Sequence, residues 1–140
     1  MSFKIKFLSF FRGLFLKSAG IEFRAKVFAA MLLAKKSISK SDYELVMEIL
    51  TEIYPKSKLK QELVIVIIKD YVYMVEKYKN YNLDRILKEI DEWLKKQPRF
   101  TKKINFEDLR RLVSKKDEND ALVQQRVYEF LINEVKIYEN

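Results

Sequence analysis

Leu63-Val64-Ile65-Val66-Ile67-Ile68 is the most apolar run in the chain, and its reading decides the fold. Six consecutive aliphatic residues suit a buried strand as well as a buried helix, and periodicity alone does not separate the two. Length and neighbours do. Apolar residues continue at Tyr71, Val72, Met74, Val75 and Tyr78 without a Gly or Pro. A lone strand in an otherwise helical chain would leave its backbone N–H and C=O groups without partners. The stretch from Ser57 to Lys79 therefore predicts one long helix, apolar nearly all round and so the central element of the core.

The surroundings agree with a helical reading. The chain has 140 residues, 49% of them hydrophobic and 34% charged, with only two Gly and two Pro. Sheet proteins spend Gly and Pro on turns, whereas helices tolerate both badly. These figures predict an all-α, single-domain bundle of about seven helices. Upstream, Gly20 and Ile21 separate a first helix from a second at about 22–36, with Phe23, Val27, Ala30 and Met31 along one stripe. Ser39 with Asp42, or Ser41 with Glu44, matches the signature of a helix start in which hydroxyl and carboxylate take up free amide hydrogens. That third helix buries Leu45, Met47 or Ile49, Leu50 and Ile53 and stops at Pro55. Downstream, Asn82 can cap a helix carrying Leu83, Ile86, Leu87, Ile90 and Trp93 or Leu94 as far as Pro98. A basic loop from Gln97 to Ile104 leads to a short helix capped by Asn105. A last helix, from about 120 to 138, directs Leu122, Val123, Val127, Phe130, Leu131, Val135 and Ile137 to the core.

Residues 3–17 differ in character. At 100° per residue, Phe3, Phe7, Phe10, Phe11 and Leu14 share one face of a helix, while Lys6, Arg12 and Lys17 lie opposite and Lys4 is the exception. An aromatic, basic, acid-free amphipathic segment is the pattern of a helix lying in a membrane interface. A membrane span requires about 20 mostly apolar residues, and Lys6 and Arg12 interrupt every run before that length. Arg12 also divides what would be the apolar part of a secretory signal. The same phenylalanines would equally serve packing on the rest of the domain or on a second copy. The expected layout is an amphipathic N-terminal helix at 1–19 and a helical domain at 20–140.

Charge is uneven. The chain total is +8, yet residues 1–21 hold Lys4, Lys6, Arg12 and Lys17 with no acid. Residues 95–116 hold nine basic residues against Glu107 and Asp108, so the remainder is net negative. Such asymmetry fits contact with an anionic surface, either nucleic acid or the cytoplasmic face of a membrane, and equally fits compositional drift in a chain rich in Lys, Ile, Asn, Tyr and Phe. The nucleic-acid alternative rests on Lys102, Lys103, Arg110, Arg111, Lys115 and Lys116 as phosphate contacts. It lacks a helix-turn-helix signature with a Gly-containing turn.

Reaction chemistry has little to build on. With no Cys and no His, the chain excludes thiol nucleophiles, disulfides, Cys/His zinc sites and imidazole bases. Gly13 and Gly20 are too few for a phosphate-cradling glycine loop. The adjacent carboxylates Asp91-Glu92, Glu107-Asp108 and Asp117-Glu118 point about 100° apart on a helix and read as solvated faces and caps. The expectation is a protein that is not an enzyme, with no cofactor, no metal and no small-molecule substrate.

Residues 23–42, Phe23-Arg24-Ala25-Lys26-Val27-Phe28-Ala29-Ala30-Met31-Leu32-Leu33-Ala34-Lys35-Lys36-Ser37-Ile38-Ser39-Lys40-Ser41-Asp42, resemble the first helical hairpin of tellurite-resistance-B-like (TerB-like) domains. Those domains run a small-residue-rich helix into an A-D-G-x-[IV]-S-x-x-E turn. Ala34 stands at the Ala, Ile38 and Ser39 at the I-S step, and Asp42 at the acidic position. Lys35 and Lys36 replace the Asp-Gly pair, which removes one ligand from any metal-binding or acidic-cluster role. The resemblance implies an all-α, non-catalytic bacterial module tied to stress responses and the membrane, as in membrane-anchored DnaJ-like co-chaperones. It would be free-standing or part of a longer protein. A protein partner or a second copy is the expected contact, with an anionic membrane surface next and nucleic acid after it. The expected location is cytoplasmic, at the inner membrane where the first helix engages it.

Overall fold

The computed structural model describes residues 19–139. Among these there are six α-helices, one 3-10 helix and no strand. In chain order they are α1 (Ala19–Leu33), α2 (Lys40–Ile53), α3 (Lys58–Lys77), α4 (Leu83–Lys96), the 3-10 helix Pro98–Lys103, α5 (Phe106–Arg111) and α6 (Glu118–Tyr138). The chain is an all-α bundle, and the run 63–68 is helical.

Short polar residues set the helix starts. Ser39 Oγ accepts from the Asp42 amide (3.2 Å) while the Asp42 carboxylate accepts from the Ser39 amide (2.8 Å), a complete capping box. Of the two signatures in that turn, Ser39 with Asp42 is the one used. Ser57, Asn82, Asn105 and Asp117 accept in the same way from the amides three residues on, opening α3, α4, α5 and α6. The segment read as a basic loop is instead the 3-10 helix, with Pro98 in its first turn, where the missing N–H costs nothing.

The central position belongs to α1, not to the 58–77 helix. Ten of its fifteen residues are buried, and it packs on α3, α4, α6 and the 3-10 helix. The physical reason is side-chain size. Ala25, Ala29 and Ala30 are fully enclosed and let neighbouring helices approach, while Phe23, Met31 and Leu32 fill the space between them. Helix α3 is its principal partner and buries one side, through Leu63, Val64, Ile67, Ile68 and Tyr71. Phe23 lies 5.5 Å from the Trp93 ring and 5.4 Å from Phe100, joining α1 to α4 and the 3-10 helix.

Two expectations along the chain are corrected. Gly20 and Ile21 do not interrupt a helix but lie within α1, because Ile21 is a core residue and the Lys103 side chain lies across Gly20. On α6, Leu122 is 53% exposed, Val123 37% and Ile137 66%. The buried stripe of that helix runs instead through Asp120, Gln124, Val127, Tyr128, Leu131 and Glu134, half of it polar. No helix among the described residues is long and apolar enough to cross a membrane.

Candidate functional site

The turn from Ala34 to Ser39 faces the loop Ser114–Asp117 and the start of α6 across a cleft of about 580 Å³. Lys35 bends back so that its Nζ lies 2.8 Å from both carboxylate oxygens of Asp42. Burial pushes the Asp42 carboxyl up, but hydrogen bonds from Lys35 and Ser39 outweigh it and hold Asp42 below the usual range. The Lys36 amide donates to Asp120 Oδ1 at 3.0 Å, tying the turn to α6. Beneath it, the fully buried Gln124 donates to the Met31 and Leu112 carbonyls (3.1 and 2.9 Å) and accepts from the Ser114 amide (2.7 Å). One side chain thus completes three backbone groups from two segments.

The six basic residues of the nucleic-acid alternative are divided. Arg111, Lys115 and Lys116 line the cleft together with Lys35, and Asp42, Asp117 and Asp120 line it too. Arg111 is committed: its guanidinium lies 3.0 and 3.2 Å from the Glu52 carboxylate and 3.6 Å from Asp108. Arg110 lies over the Tyr128 ring at 5.6 Å. Lys103 is folded over Phe100 at 5.8 Å, and burial, with the charges of Arg24 and Arg99, holds its ammonium below the usual range. Lys102, Lys115 and Lys116 are exposed. The structure therefore brings three of the six to one cleft and leaves Lys102, Lys103 and Arg110 outside its lining. Phe3, Lys4, Lys6, Phe7, Phe10, Phe11, Arg12, Leu14 and Lys17 lie outside the described residues.

A further constellation escapes a sequence reading. Lys26 is buried in α1, with its Nζ 5.3 Å from both the Tyr71 and Trp93 ring centres and 2.9 Å from Glu89 Oε1. Glu89 also accepts from the Tyr81 hydroxyl at 2.8 Å. The available signal was a charged residue set between Phe23, Val27 and Ala30 on the buried stripe. Among the described residues, no group of three or more acidic side chains could hold a metal ion.

The chain matches no family model, no curated protein and no solved structure.

Proposed function

We propose that this chain is a non-catalytic helical interaction module of TerB-like type, working in bacterial stress or chaperone pathways on the cytoplasmic side of the inner membrane. Residues 1–19 form its docking segment, with the Phe3, Phe7, Phe10, Phe11 and Leu14 ridge as apolar contact and Lys4, Lys6, Arg12 and Lys17 toward phosphate headgroups. Each such basic residue near an anionic bilayer contributes about 1 kcal/mol. The observation that carries the reading is the state of the TerB-like turn. Its polar groups hold it to its neighbours: Lys35 to Asp42 on α2, the Lys36 amide to Asp120 on α6, and Ser39 Oγ to Asp42 and Ser41 within the first turn of α2. Such a turn supports a rigid body that presents surfaces.

Co-sedimentation of the full chain with phosphatidylglycerol vesicles tests the docking segment. Binding is expected, lost at high salt and in a variant carrying Phe7→Ser, Phe10→Ser and Phe11→Ser. Equal pelleting of the two proteins rejects the membrane surface and leaves a protein partner as the contact. The nucleic-acid alternative is supported by Lys102, Lys115 and Lys116, which are exposed and have no acidic partner among the described residues. It is weakened by the commitment of Arg111 to Glu52. A gel shift of DNA or RNA that fades steeply with salt would favour it.

A further inference from the structure

The inward face of α6 ends in a carboxyl group without a cation. Glu134 is 5% exposed, and its Oε1 is enclosed with no hydrogen-bond donor among the described residues. Its carboxyl faces that of Asp91 on α4, and Asp91 Oδ1 accepts from the Tyr138 hydroxyl at 2.7 Å. Basic side chains of the elements packed on α6 are engaged elsewhere. Lys26 goes to Glu89, Arg24 to the Tyr54 hydroxyl, Arg111 to Glu52, and Arg110 and Lys103 lie over Tyr128 and Phe100. Lys88 and Lys95 on α4 and Lys136 on α6 are exposed, as are Glu92, Glu139 and Lys102, and Arg99 on the 3-10 helix lies over the Phe100 ring. Among the described residues, the groups acting on Glu134 are Asp91 and, through it, Tyr138.

A carboxyl enclosed like that of Glu134 and set against the half-buried Asp91 carboxyl ionises only at a cost, so it keeps its proton and donates it to Asp91. We propose that Asp91, Glu134 and Tyr138 form a proton-operated clasp between α4 and α6: one proton shared by the two carboxyls holds the end of α6 in place, and its loss releases that end. Burial first, then the hydrogen bond and charge of Asp91, push Glu134 up to about 7. The Asp91 hydrogen bond pushes Tyr138 up to about 12, so the phenol stays a donor throughout. The folded state binds this proton more tightly than the unfolded chain, whose glutamate has its ordinary value of 4.5. The clasp's contribution is therefore complete below about 4.5 and is lost as pH rises through about 7. Release uncovers the inner side of the last turns, including Val135 and Tyr138.

The test uses the full chain at constant ionic strength, comparing wild type with Glu134→Gln, which keeps shape and hydrogen bonding without the titration. Between pH 5 and 8 the wild-type unfolding midpoint is expected to fall by about 3–8 °C, and that of Glu134→Gln to stay level. Hydrogen exchange of the 131–138 amides, corrected for intrinsic rate, should rise about tenfold or more from pH 6 to 8 in wild type, while α1 amides keep their protection. Unchanged protection of 131–138 across that range, or the same fall in Glu134→Gln, overturns the proposal. Should the Gln variant fail to fold, the wild-type exchange profile alone decides.

Discussion

Glu89 and Asp91 leave the same helix two residues apart, on opposite flanks, and meet different neighbours. On one flank, α1 delivers the Lys26 ammonium between the Tyr71 and Trp93 rings. Burial pushes Glu89 up, but hydrogen bonds from Lys26 and Tyr81 and the charges of Lys26 and Arg85 prevail and hold it below the usual range. On the other flank, α6 delivers a second carboxyl, and the pair keeps a proton near neutral pH. Both acids of α4 are half-buried. What separates them is the group that the opposing helix brings, so depth alone does not decide whether an acid in this bundle is charged.

Several substitutions break or sharpen that contrast. Lys26→Met takes from the half-buried Glu89 its nearer cation, leaving Arg85 at 3.6 Å, and should cost about 2–4 kcal/mol in urea denaturation, with most of it recovered in the double variant that adds Glu89→Gln. A cost under 1 kcal/mol would mean that Glu89 finds solvent instead. Gln124→Leu strands the Ser114 amide and the Met31 and Leu112 carbonyls, and should cost about 2–4 kcal/mol by the same measurement. Asp42→Asn removes the Lys35 pair and half of the capping box, for about 1–2 kcal/mol at pH 7. Asp42 and Glu89 both sit below their ordinary values of 3.8 and 4.5. Their contributions are complete above those values and disappear as acid takes the pH through the lower folded ones, the opposite sign to Glu134. The penalty of Asp42→Asn should therefore shrink in acid. Arg111→Ala, which breaks a largely solvent-facing pair with Glu52, should stay within about 1 kcal/mol.

How far the sequence was legible follows from the range of the physics involved. Helix starts at Ser39, Ser57, Asn82 and Asn105 depend on amides three residues away, so a local pattern reveals them. The helical character of 63–68 depended on composition a few residues further out. The identity of the central helix did not, because the Ala25, Ala29 and Ala30 surface matters only once four other elements close on it. The polar core was hidden for a related reason. Gln124 meets Met31 across 93 positions of the chain and Lys26 meets Glu89 across 63, and a polar letter at a core position reads as surface until its partner is known. The same substitution of polar for apolar turned Leu122, Val123 and Ile137 outward. At the site, Lys35 and Asp42 stand seven positions apart in the sequence, and only the fold showed the ammonium closing on the carboxylate.

A carbon-detected titration of the glutamate carboxyls in the intact chain tests the contrast most directly. Glu89 should titrate below its ordinary 4.5 and Glu134 near 7. Coincidence of Glu134 with the exposed glutamates, or a Glu89 midpoint above theirs, would contradict the claim that the opposing helix sets the charge of each acid.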